Sequence, residues 1–179
     1  MTRPDAPSPD LLARAARIRL ACFDVDGTLT DGRLYFSDDG REMKAFHVHD
    51  GQGLVLLRKA GVAVALVTAR SSQVARRRAQ ELGIDCFDAV ADKLACVHDL
   101  RARLGIAMDQ VAFMGDDLPD LPVLREAGLS AAPADAHAFT RGQTHLVTAA
   151  GGGQGAAREL CDLILQAQAA AVHDAGTRA

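Results

Sequence analysis

The sequence predicts an α/β domain: a parallel β-sheet with helices on both faces. Three observations predict it. Short apolar runs of strand length alternate with stretches of helical spacing along nearly all of the 179 residues, the pattern of a parallel sheet covered on both sides. Several helical stretches stop at a glycine, the residue that closes a helix in the left-handed conformation. Polar residues gather where the apolar runs end, which in open parallel sheets is where ligands bind.

In chain order, residues 1–16 read as an N-terminal tail and short helix, 17–171 as one folded domain, and 172–179 as a frayed tail. A helix is expected over Leu11–Arg17 and a buried strand over Ile18–Phe23, an apolar run that ends in acids. Leu34–Phe36 and Met43–Val48 flank the turn-rich Ser37-Asp38-Asp39-Gly40 and read as a β-hairpin. Leu54–Lys59 is helical up to Gly61. Val62–Val67 is the second buried strand, and Gln73–Leu82 a helix closed by Gly83. Ile84–Phe87 is a weaker strand, followed by a helix over Lys93–Leu104 that ends at Gly105. Val111–Met114 is a strand leading into a second acid cluster. Leu121–Ala127 is helical to Gly128, Leu129–Ala131 a short strand, Ala136–Phe139 a small helix and Thr144–Val147 a strand. Gly151-Gly152-Gly153 reads as a flexible hinge before a last helix over Ala156–Ala171. No internal repeat is visible.

Composition narrows the function classes. Hydrophobic residues make up 49% and charged residues 24%, with a net charge of −3. No basic face advertises nucleic acid or an anionic membrane, so neither is an expected partner. Cys22, Cys86, Cys96 and Cys161 are scattered without C-x-x-C spacing. They read as reduced, buried thiols of a cytoplasmic protein. Met1–Asp10, with three prolines and two acids, has no apolar stretch of signal-peptide type, and no run approaches the roughly 20 apolar residues of a membrane span.

Chemistry concentrates in two strings, FDVDGTLT at Phe23–Thr30 and GDDLPD at Gly115–Asp120. An isolated D-x-D is ordinarily a solvated loop or a helix cap. With Gly27-Thr28 attached at a strand end, it suits phosphoryl transfer. That reaction needs an in-line nucleophile, a proton donor for the leaving oxygen, and compensation of the charge on the equatorial oxygens. Asp24 is the candidate nucleophile, forming an aspartyl-phosphate. Asp26 is the candidate general acid and base, and Gly27 frees the loop to offer N–H groups to phosphate. Three converging carboxylates would repel one another without a cation. Magnesium, which prefers hard oxygen ligands, is the expected cofactor, held by Asp24, Asp116 and the Asp26 backbone carbonyl. Asp117 is expected to orient water, Lys93 or Asp26 from behind the metal site, and Asp120 to hold the loop or cap the helix after it. Thr68 can hydrogen-bond a phosphate oxygen, and Lys93 can offset the charge of Asp24 and phosphate.

The order D-x-D-G-T, Thr68, Lys93, G-D-D-x-x-D resembles the haloacid dehalogenase superfamily across nearly the whole chain. More narrowly, DVDGTLTDGRLYF, EMKAFHVHDGQG, LVTAR, GDDLPDLPVL and AGGGQGAARELCDLIL are similar to the 3-deoxy-D-manno-octulosonate 8-phosphate phosphatases. The resemblance implies a Rossmann-like three-layer fold with no cap domain. The gap from Leu29 to Gly51 has room only for a hairpin. It further implies hydrolysis of a sugar-acid phosphate for lipopolysaccharide synthesis, in a homotetramer whose neighbours help to close each site. Substrate contacts implied in this way are His47, Val48, His49, Asp50 and Gly51, together with Arg70 and Arg78; Asp26, Gly27 and Lys93 complete the set. The C-terminal stretch after Gly151 is expected to reach a neighbour's pocket. His49 stands where the family commonly has Arg or Lys, and Val55 where some members have Arg. Arg76 and Arg77 read as a solvated helix face, and His98, His137, His145 and His173 as structural or surface residues. Two other readings are a phosphatase for nonulosonate 9-phosphates of sialic-acid type, and a non-catalytic tetramerisation module like those fused to sugar nucleotidyltransferases.

Overall fold

The computed structural model describes residues 6–177, with side chains as far as 173; the other residues of both expected tails lie outside the described residues. Helix α1 (Pro9–Ala16) starts two residues earlier than expected, because Ser8 accepts the Leu11 N–H and Pro9 occupies the first turn. Strand β1 (Leu20–Phe23) runs through the centre. It is followed by a small antiparallel ribbon, β2 (Tyr35–Phe36) with β3 (Glu42–Met43). The chain then alternates through α2 (Val48–Lys59), β4 (Ala63–Val67), α3 (Gln73–Leu82), β5 (Asp85–Phe87), α4 (Lys93–Leu104) and β6 (Val111–Met114). It finishes with α5 (Leu121–Glu126), β7 (Leu129–Ala132), α6 (Ala138–Arg141), β8 (Leu146–Val147) and α7 (Ala156–Thr177).

The main sheet is wholly parallel in the order β5-β4-β1-β6-β7-β8. Alternation along β1 builds the two halves of the core. Ala21 and Phe23 face α1, α2 and α7, packed with Leu54, Leu57, Leu160 and Ile164. Leu20 and Cys22 face α4 and α5, packed with Val97, Phe113, Val123 and Leu124. Helix, sheet and helix thus form the three expected layers. No cap domain is present among the described residues; the hairpin alone fills the segment between β1 and α2. Among these residues no helix is long and apolar enough to cross a membrane.

Three expectations are corrected. The segment 44–48 does not extend the hairpin: pairing ends at Met43, and α2 begins at Val48 instead of Leu54. Gly51 and Gly53 concealed those first turns, since glycine disfavours a helix by about 1 kcal/mol relative to alanine. Here they allow close packing. A Cβ on Gly51 would lie 2.2 Å from the Arg78 guanidinium, and one on Gly53 3.1 Å from the Cys161 Cβ of α7. The Gly151–Gly153 stretch is a pinned strap rather than a hinge. Asp135 accepts the Gly152 N–H at 2.8 Å, and Glu159 accepts those of Ala149 and Ala150, both at 2.8 Å. A Cβ on Gly152 would fall 2.0 Å from the Gly27 carbonyl oxygen. Lastly, α7 packs against α1 and α2 and buries Leu160 and Ile164 in its own core. It continues to Thr177, past its expected end at Ala171.

Candidate active site

The sheet order reverses around β1, whose neighbours β4 and β6 arrive later in the chain on opposite sides, and ligands bind at such a switch point. Phe23 sits in register with Leu66 and Met114, so the residues after β1, β4 and β6 emerge together. The Asp24 N–H donates to the Met114 carbonyl at 2.9 Å, extending the β1–β6 pairing by one step. Asp24, Asp26, Thr68, Arg70, Lys93, Asp116, Asp117 and Asp120 line one cavity of about 170 Å³.

Lys93 opens α4 just after the Asp92 cap, whose side chain accepts the Ala95 N–H. Its Nζ lies 2.8 Å from Asp24 Oδ1 and 2.6 Å from Asp120 Oδ1. Asp120 is buried and fully engaged, its Oδ2 accepting the N–H groups of Asp116 at 3.0 Å and Asp117 at 3.3 Å. It therefore anchors both Lys93 and the loop. Oxygens of Asp24, Asp116 and Asp120 lie within 4.8 Å of one another. Since Asp120 already serves three donors, Asp24 and Asp116 are the carboxylates left to face a cation. The set is all oxygen, as a hard divalent ion requires, with no histidine or thiol among the three. The backbone makes room: Gly27 has φ +85°, and a Cβ there would sit 2.1 Å from Asp116 Oδ2. Thr28, not anticipated from the sequence, is buried and donates to Asp116 at 3.4 Å.

Crowding of acids governs protonation. Burial first, then the Asp120 charge, raises Asp24 to about 6 despite Lys93. Burial, then Asp24 and Asp120, raises Asp116 to about 8. Burial works against the charge of Lys93, but Asp24 and Asp120 outweigh it and hold the ammonium above the usual lysine range. A raised acid keeps its proton in the folded chain to higher pH than in the unfolded one. From about pH 4 to about pH 8 the unfolded chain then binds fewer protons, so stability falls as pH rises. Metal-free protein should accordingly melt at lower temperature at about pH 8 than at about pH 5. A divalent cation should raise the melting temperature more at the higher pH. Scanning calorimetry at the two pH values checks this; a midpoint that rises with pH in chelator would contradict it.

Asp26 faces a second network that the sequence reading missed. Its Oδ1 accepts from Lys44 Nζ, and Arg70 Nε lies 3.8 Å from Oδ2. Glu42 joins the group at 3.1 Å from Lys44 and 3.0 Å from Arg70, and accepts from the Ser72 hydroxyl at 3.0 Å. The signal was the i, i+2 spacing of Glu42 and Lys44, which in an extended chain turns both to one side; Met43 between them is exposed. So the Asp26 carboxylate is paired with cations, and in the carboxylate cluster Asp120 stands where Asp26 was expected. Thr68 is buried and accepts the Arg70 N–H at 3.3 Å, which leaves its own hydroxyl proton to donate.

The remaining expected substrate contacts lie elsewhere in the chain. His47, Asp50, Gly51 and Arg78 line a separate small pocket with Leu29 and Phe46. Asp50 is 2% exposed and caps α7, accepting the N–H groups of Gly155 at 3.2 Å and Arg158 at 2.8 Å. Gly51 is covered by Arg78. Within the chain both serve packing. Arg78 pairs with Glu81 at 2.9 Å and rests over the Phe46 ring. His47 stands at the N-cap position of α2 without a side-chain capping bond and meets the His49 ring edge-on at 5.0 Å; Val48 and His49 are exposed beside it.

Known proteins share this fold and much of this sequence. A haloacid dehalogenase-like hydrolase model matches residues 50–128. The 3-deoxy-D-manno-octulosonate 8-phosphate phosphatase KdsC of Yersinia pestis is 46% identical over 160 residues, covering 89% of this chain and 86% of that protein. This chain belongs to that phosphatase family. As a member it is a phosphomonoester hydrolase of the haloacid dehalogenase type. Among solved structures, a hypothetical protein from Xanthomonas campestris superimposes with TM-score 0.91 at 53% identity, covering 94% of both chains. The 3-deoxy-D-manno-octulosonate 8-phosphate phosphatase of Moraxella catarrhalis, in complex with magnesium, phosphate and a KDO molecule, has TM-score 0.87 at 40% identity, with 95% of this chain and 98% of that one covered.

Proposed function

We propose that this phosphatase hydrolyses 3-deoxy-D-manno-octulosonate 8-phosphate to the free sugar acid and phosphate. The observation that carries the reading is the convergence of Asp24, Lys93, Asp116 and Asp120 in one cavity, in a chain close to relatives of that name. Asp24 attacks phosphorus while the bond to the sugar oxygen breaks, and Asp26 gives that oxygen its proton. Asp26 then takes a proton from water as the water oxygen bonds to phosphorus and the Asp24–phosphorus bond breaks. Lys93 and the Thr68 hydroxyl balance charge on the phosphoryl oxygens. Magnesium, held by Asp24, Asp116 and the Asp26 backbone carbonyl, supplies positive charge against phosphate, and Asp117 orients water at the cavity mouth.

Arg70 suits the sugar carboxylate, because a guanidinium binds such a group through two parallel hydrogen bonds. The enzyme acts in the cytoplasm, in the synthesis of lipopolysaccharide precursors, and its catalytic domain spans residues 17–171. Leu34, Tyr35, Phe36, Met43 and Val48 form an exposed apolar surface around the hairpin, of the kind that marks an interface. It supports a homotetramer in which His47, Val48, His49 and Arg78 approach a neighbour's substrate. Neither the nonulosonate reading nor the assembly-module reading is favoured: the relatives described carry the octulosonate name, and the catalytic acids are intact. The test is phosphate release from the octulosonate ester. It should stop in chelator and return with magnesium; full turnover in metal-free buffer would overturn the site assignment.

A further inference from the structure

We infer that Lys44 is a positioning residue that aims the Asp26 carboxyl at the leaving oxygen. The inference rests on the role of Asp26 proposed above. The Lys44 side chain is 1% exposed, an unusual placement for a lysine one residue beyond a two-residue strand, and its Nζ donates to Asp26 Oδ1. Buried lysines occur where a partner holds the charge. Here Glu42 secures the ammonium at 3.1 Å, and Glu42 is itself held by Arg70 at 3.0 Å and Ser72 at 3.0 Å. Since Ser72 also caps α3, the lysine is tied to the sheet scaffold through a helix start. The hairpin, otherwise exposed, is thereby fixed to the catalytic loop.

The two oxygens of Asp26 are treated differently. Oδ1 is engaged by Lys44, whereas Oδ2 is buried and makes no hydrogen bond within the chain, with Arg70 Nε as an ion-pair neighbour at 3.8 Å. A buried acceptor without a hydrogen-bond partner is uncommon and calls for a ligand or a catalytic role. Asp26 lines the carboxylate cavity, so an incoming ester oxygen is a fitting partner for Oδ2. Lys44 thus fixes the rotation of the carboxyl by one oxygen and leaves the other for proton exchange with the substrate. It touches neither phosphorus nor the leaving group, and it acts through Asp26.

The test separates orientation from charge and from general damage to the fold. Proton donation matters for a sugar alkoxide, a poor leaving group, and little for an aryl phosphate, whose phenolate leaves unaided. Lys44→Met should lower kcat for the octulosonate ester by about 10²-fold and for an aryl phosphate by less than about fivefold. Lys44→Gln keeps a donor for Oδ1 without the charge, and should recover much of the sugar-ester rate. Melting temperatures are measured alongside. Equal losses on both substrates, or a Gln variant as impaired as Met at the same stability, would overturn the positioning role. An unaltered enzyme that releases phosphate from the aryl ester but not from the octulosonate ester would instead refute the substrate reading. That outcome is distinct, and poor sugar-alcohol phosphates then serve as the second substrate for judging Lys44.

Discussion

Asp24→Asn should abolish turnover, with a fall on the order of 10⁴- to 10⁶-fold in kcat, as expected when a covalent nucleophile is removed. The amide cannot attack phosphorus, and no other acid is placed to replace it. Asp120 serves three donors, Asp116 is crowded against Gly27, and Asp26 is engaged by Lys44. Loss of activity should come without loss of stability. Asp24 and Asp120 share one buried lysine, and burial with like charge raises Asp24 to about 6. Replacing it by a neutral amide relieves that repulsion, so metal-free Asp24→Asn should melt no lower than the unaltered protein near neutral pH. Steady-state kinetics and calorimetry on the same sample check both halves. Turnover within tenfold of normal would remove Asp24 from the nucleophile role, and a large fall in melting temperature would contradict the crowding of the cluster.

Lys93→Met should have the opposite signature, costing both activity and fold. Lys93 bridges Asp24 and Asp120, and all three side chains are buried. Removing one partner of a buried ion pair leaves the other uncompensated, at a cost of about 3–5 kcal/mol. The carboxylates escape part of that cost by taking up protons, so the loss of stability should shrink toward about pH 5, where Asp24 is protonated. Activity should fall on the order of 10²- to 10³-fold, the usual effect of deleting a preorganised charge at a developing anion. Urea unfolding at two pH values, combined with kinetics, reads both effects. Undiminished stability at neutral pH would show that the acids do not depend on Lys93.

The layers and the order of strands were legible because buried parallel strands are short apolar runs bounded by glycine and by polar caps. Gly83 and Gly105 close their helices at the expected places, and Ser72 and Asp92 cap the starts of the same two helices. The core of the site was legible for the same reason: Asp24, Thr68, Lys93 and Asp116 lie at strand ends or a helix start, where backbone geometry alone brings them together. Where side-chain packing decides, the sequence was silent. The start of α2 was hidden by two glycines whose purpose is close contact with Arg78 and Cys161. Gly151–Gly153 looks flexible by composition, yet Asp135 and Glu159 pin the strap against the catalytic loop from positions that nothing local connects to it. Asp50 has the composition of a ligand contact, and only the arrival of α7 more than a hundred residues later makes it a cap. Lys44 was read as part of a family string and not as a charged side chain needing a buried partner.

The most direct measurement is phosphate release by the intact protein with magnesium, compared across octulosonate 8-phosphate, a nonulosonate 9-phosphate and simple hexose phosphates. The expected result is a kcat/KM for the octulosonate ester at least tenfold above every other substrate, lost in chelator. A hexose phosphate or the nine-carbon ester turned over as well as the octulosonate ester, or turnover unaffected by chelator, would contradict it.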